Sequence, residues 1–116
     1  YRGQPVESYI TDEPGELALY PLVVLVNHNT ASAAEIIAGS LQANKRAILI
    51  GAPTFGKDTI QLVFDLDDGS SLHITAAHWW IPGLEQLLSD QGLQPDIMID
   101  PELVNTKDPF IDAAIQ

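Results

Sequence analysis

At 116 residues the chain has the size of one small domain, and a hydrophobic share of 46% suffices for a core, which argues against disorder. Its formal net charge of -11, from 16 acidic and 5 basic residues, would repel phosphate backbones and disfavours nucleic-acid binding. The absence of cysteine excludes disulfides, thiolate metal sites and a cysteine nucleophile.

In chain order, residues 1–16 are polar and acidic, with a turn at Asp12-Glu13-Pro14-Gly15. No charged leader or cleavage pattern opens the chain, and its longest apolar stretch, residues 17–26, contains Pro21 and is too short to span a bilayer. The start at Tyr1 without Met leads us to expect a piece of a longer protein, folded as a single domain over 1–116. Residues 22–26 form a continuous β-branched and leucine run, the pattern of a strand buried on both faces of an α/β sheet. A helix is expected to start near Ser32. Ala33, Ile36, Ile37, Ser40 and Leu41 recur at the helical period and should face the core. The small residues Ala34, Ala38 and Gly39 permit a close approach to the sheet, and Asn44 and Lys45 suit the helix end. Residues 47–50 read as a second buried strand, ended by Gly51. Residues 59–65 and 71–77 flank Asp67-Asp68-Gly69-Ser70 and read as a β-hairpin. Beyond the break at Ile81-Pro82-Gly83 we expect a short helical turn over 85–90, a strand over 96–100 and a terminal helix over 110–115. The order of elements places the chain in the α/β class.

Ser32 carries two compatible readings. Ser32-Ala33-Ala34-Glu35 fits a capping box, in which Ser accepts from the N3 amide and Glu reaches back. The same position is suited to a nucleophile, because exposed amides and the positive end of the helix dipole lie beside it. The Ala33 amide would then stabilise an oxyanion. Lys57 is either a solvated loop lysine or the general base for Ser32. A free lysine has a pKa of roughly 10.4, so a base role requires desolvation, for which Phe55 offers a wall. Asp58 would oppose it if its carboxylate came near. Gln61 could aim the amine, or be an ordinary polar strand residue.

Residues 51–57 also match the G-x-x-x-x-G-K of a phosphate-binding loop. Asp58 stands where that loop needs Ser or Thr for magnesium, and a strand follows instead of a helix N-terminus, so nucleotide binding is disfavoured. His28, His73 and His78 lack helical metal-ligand spacing. His28, near Ser32 in sequence, is a loop histidine or a substrate contact. Asp65, Asp67 and Asp68 read as hairpin acids, and Trp79-Trp80 as core or a domain contact.

Taken together, these segments resemble the carboxyl-terminal processing peptidases (tail-specific proteases, the S41 family). The resemblance is carried by residues 21–27, by Thr30-Ala31-Ser32-Ala33-Ala34-Glu35-Ile36, and by Thr54-Phe55-Gly56-Lys57 with Gln61. Further on, residues 72–82 resemble the family's L-x-[IL]-T-x-A-x-[YW]-x-x-P strand, and residues 92–97 its G-[IV]-x-P-D segment. The resemblance implies a partial ClpP/crotonase-like core, a mixed sheet with packed helices. Ser32 would be the nucleophile, Lys57 the base, Gln61 its positioning residue, and the Ala33 N–H an oxyanion donor. It further implies endopeptidase chemistry on a peptide or protein substrate, no metal or organic cofactor, and an extracytoplasmic location. Self-association is left open. Asn29 stands where the family usually has Gly, Ala34 where it often has Ser, and Asp58 where Gly is common. The usual P-S-G-R-S-I-Q segment is missing from residues 83–91. The family's upstream PDZ module and D-x-R-x-N-x-G-G segment, with its second oxyanion donor, are also missing. A non-catalytic peptide- or ligand-binding module on the same fold is the alternative.

Overall fold

The computed structural model describes residues 7–84, 91–100 and 108–115. After a 3-10 turn at Glu16–Leu19 come β1 (Val23–Val26), α1 (Ala33–Ala43) and β2 (Ile48–Gly51). Then follow β3 (Thr59–Asp65), β4 (Ser71–His78), β5 (Ile97–Met98) and α2 (Pro109–Ala114). The expected turn over 85–90 lies outside the described residues.

Two parallel strands need a crossover, and α1 provides it between β1 and β2. Val23 pairs with Ile48 and Val26 with Gly51; β5 then adds in parallel on the other side of β2, giving the order β1-β2-β5. The central strand β2 is the best buried, with Leu49 and Ile50 inside the core. The expectation that residues 22–26 are buried on both faces fails for most of them. Within β1 only Val26 is buried, and Leu25 is 42% exposed. The reason is position: among the described residues β1 is an edge strand with neighbours on one side only.

Helix α1 begins where expected, with Ser32 as N-cap and Asn44 as C-cap. Its buried face, however, is not the one the large residues mark. Glu35, Ala38 and Gly39 point inward, while Ala33, Ile36 and Ile37 are exposed. The missing side chain at Gly39 sets this rotation. A Cβ there would collide with Ile81 and press on the two methyls of Leu93, so this face alone reaches the core formed by Val26, Ala38, Leu49, Ile81 and Leu93.

The last strand is shorter than expected. Asp96 Oδ2 accepts the Leu49 amide at 2.7 Å, and the ladder to β2 begins only at Ile97. Gln42 fastens the same segment to α1, donating to the Gln94 carbonyl (2.9 Å) and to Asp96 Oδ1 (3.1 Å). The hairpin β3–β4 is antiparallel, with a register irregularity at Ile60/Gln61. In its turn, the Ser70 hydroxyl and then the Ser70 amide donate to Asp68, which holds that carboxyl below its ordinary value.

Candidate active site

The chain leaves β1 through a tight loop. The Thr30 amide donates to the Asn27 carbonyl (2.8 Å), and the Asn27 amide to Thr30 Oγ1 (3.1 Å). A second turn follows at once, closed by the Ala34 amide on the Ala31 carbonyl (3.2 Å). Ser32 takes its first central position with φ 55 and ψ -120. That is the backbone of a type II′ turn, where glycine is the usual occupant. Ser32 thus stands at a sharp turn between β1 and α1. The expected capping box is present in the reach of Glu35 back to Ser32. Glu35 Oε2 accepts the Ser32 amide (2.8 Å), but the Glu35 amide bonds the Ser32 carbonyl (2.9 Å), and the Ser32 hydroxyl makes no capping hydrogen bond. No hydrogen bond from the Ala33 amide occurs among the described residues, so this donor remains available beside Ser32.

Glu35 joins this turn to the loop that carries Lys57. Its carboxylate is completely buried. Oε1 accepts from the Thr54 hydroxyl (2.6 Å) and the Gly56 amide (2.7 Å). Oε2 accepts from the amides of Ser32 (2.8 Å) and Lys57 (3.0 Å). An ionised carboxylate has about four lone-pair sites, and all four are filled here without a cation. Burying it is tolerable only because of these donors. Since Ser32 and Lys57 share one oxygen, their backbone nitrogens are held within two hydrogen-bond lengths of each other. The Phe55 amide donates to the Thr30 carbonyl (2.9 Å), a second tie between the two loops.

Gly56, with φ 85, makes the turn that delivers Lys57 into β3. No hydrogen bond joins the Lys57 amine to the Ser32 hydroxyl, or Gln61 to Lys57, among the described residues. Lys57 is half-buried; Gln61 is exposed on β3 beside the register irregularity, opposite Thr75. Asp58 does not turn toward the lysine: its carboxylate meets His78 Nδ1 at 3.2 Å. His28 is exposed in the loop after β1, and His73 pairs with the Ser71 hydroxyl at 3.0 Å. Trp79 packs against the core, whereas Trp80 is exposed. The phosphate-loop reading fails on geometry. The Gly56 and Lys57 amides that would meet a phosphate are taken by Glu35, and the chain continues as a strand.

Sequence reasoning missed the role of Glu35 beyond the cap, and took Thr54 only as part of the segment that carries the resemblance, with no role of its own. One signal was present: Glu35 precedes Ala38 and Gly39 by three and four positions, so it shares the face of the two residues that permit close packing.

The chain has an α/β fold and belongs to peptidase family S41, whose model matches residues 2–99. It is 47% identical over 87 residues to the chloroplastic C-terminal processing peptidase of Tetradesmus obliquus, covering 74% of this chain and 18% of that protein. It is 46% identical over 85 residues to the carboxyl-terminal-processing protease of Synechocystis sp., covering 73% and 20%. Among solved structures it is similar to a photosystem II D1 C-terminal processing protease, with a TM-score of 0.59 and 48% identity, over 71% of this chain and 21% of that one. The chain thus spans about a fifth of the length of the curated relatives it matches.

Proposed function

We propose that this chain supplies the nucleophile and the base of a serine endopeptidase that processes the carboxyl termini of proteins. Ser32 Oγ attacks the peptide carbonyl, and Lys57 takes its proton as general base. The Ala33 amide stabilises the oxyanion of the tetrahedral intermediate. Lys57 then gives the proton to the leaving amine, and water releases the acyl-enzyme. Gln61 aims the lysine amine. An extracytoplasmic location belongs to the same proposal and rests on the family resemblance.

One observation carries the reading. The serine held at φ 55 on the strand-to-helix turn shares one buried carboxylate oxygen with the loop of the lysine. A cap serine needs neither the strain nor the tie. The test is labelling of the full-length protein that carries this chain with a serine-reactive phosphonate. We expect labelling to be lost in Ser32→Ala and to slow about 10²- to 10⁴-fold in Lys57→Ala. If the unaltered protein labels no faster than these variants yet still binds peptides, the non-catalytic binding module is the correct reading.

A further inference from the structure

We infer that Thr54 and Glu35 form the positioning pair of this site, and that Thr54 couples the segment around Leu93 to it. The inference rests on the peptidase reading for what Ser32 and Lys57 do; the geometry itself does not. Thr54 is 6% exposed and Glu35 fully buried. Leu93 is clasped by Thr54 twice. The Thr54 amide donates to the Leu93 carbonyl (3.1 Å), and the Leu93 amide donates to Thr54 Oγ1 (2.7 Å). An N–H can only donate, so the Thr54 hydroxyl keeps its own proton for Glu35 Oε1, at 2.6 Å. The chain of donors therefore has a fixed direction, from Leu93 through Thr54 to Glu35.

At its end the carboxylate holds the amides of Ser32, Gly56 and Lys57. With all four lone-pair sites used, it cannot turn without breaking a buried hydrogen bond. The separation of the nucleophile turn and the base loop is thereby set by one rigid group. Gly92 adds to the clasp. At φ 65 its Cα lies against the Thr54 carbonyl, with no room for a Cβ, so a shift of residues 92–93 presses directly on Thr54. Neither Thr54 nor Glu35 is assigned a contact with substrate. Both act through Ser32 and Lys57.

The test uses steady-state kinetics of the full-length protein on an unstructured peptide, across pH, with active sites counted by phosphonate labelling. Thr54→Val keeps the shape but removes the hydroxyl, leaving the Leu93 amide and one lone pair of Glu35 without partners. We expect kcat per active site to fall about a hundredfold with little change in KM. The ascending limb of the pH profile should move as Lys57, the general base, is displaced. Thr54→Ser should restore most of the rate. Glu35→Asp, with the same charge one methylene shorter, should show the same split and decides the matter if Thr54→Val does not fold. A purely structural role would lower the melting temperature while leaving kcat per active site and the pH profile intact, and that result overturns the inference. So does a Thr54→Ser variant as slow as Thr54→Val. If Ser32→Ala and Lys57→Ala keep full activity, the peptidase reading itself fails. If they abolish it while Thr54→Val and Glu35→Asp do not lower kcat, only the positioning pair is lost.

Discussion

At Ser32 the backbone spends free energy that a helix cap does not require. A non-glycine residue with positive φ in a sparsely populated region costs on the order of 1–3 kcal/mol, and Ser32 lies at φ 55 with ψ -120. The cost has a measurable consequence. Ser32→Gly relieves the strain and Ser32→Ala does not, so the glycine variant should be more stable than the alanine variant by about 1 kcal/mol. Chemical denaturation of the two reads this directly, and equal stabilities would mean that the turn is not strained. Part of this site was legible in the residues. Ser32 stood at a helix start, and Lys57 and Gln61 stood in family register. The strain was not legible, because residue type does not encode a positive φ at serine. Nor was the tie through Glu35. A glutamate three residues into a helix is ordinarily an exposed capping partner, and only the arrival of Thr54, Gly56 and Lys57 makes it a buried acceptor of four hydrogen bonds.

The elements themselves followed from local signals. Helix α1 starts and stops at the expected residues: the Glu35 carboxylate accepts the Ser32 amide at its start, and the Asn44 side chain donates to the Ser40 carbonyl at its end, both within one turn. The hairpin appears around Asp67-Asp68-Gly69-Ser70 for the same reason. The face of α1 did not follow. Hydrophobic periodicity selects Ile36 and Ile37, but the helix turns its smallest residues inward, where Gly39 meets Ile81 and Leu93. Close approach at a glycine decides the rotation when the opposing surface is already filled by large side chains. Gly92 is the corresponding fixed point in the segment after β4. An alanine there would be held at φ 65, with its Cβ only 2.6 Å from the Thr54 carbonyl carbon and 2.7 Å from Oγ1. Gly92→Ala should therefore destabilise the fold by at least about 3 kcal/mol. Thermal unfolding tests this, and a loss under 1 kcal/mol would show that residues 92–93 can move away from Thr54 at little cost.

Over the whole molecule, the parallel sheet with α1 and the hairpin are unequally covered. The radius of gyration is 17.5 Å, whereas a compact chain of this length has about 13 Å. Leu62 pairs with Ile74 and Phe64 with Leu72, so these four share one face of the two-stranded hairpin, and each is nearly half exposed. A contiguous apolar face of this kind binds hydrophobic dyes. The isolated chain should take up such a dye strongly, and Leu62→Lys combined with Ile74→Glu should reduce the uptake while far-ultraviolet dichroism is kept. Unchanged uptake would place the dye elsewhere. By itself the sequence determined the α/β class, the strand–helix–strand unit and the hairpin. Each of these is written in local periodicity, turn chemistry or spacing along the chain. The tertiary structure alone decided that β1 lies at an edge, that α1 packs through Ala38 and Gly39, and that Glu35 gathers Ser32 and Lys57 on a single oxygen. Those outcomes depend on which distant segment fills a given space and which buried amide lacks a partner, and pairings of that kind exist only once the chain has folded.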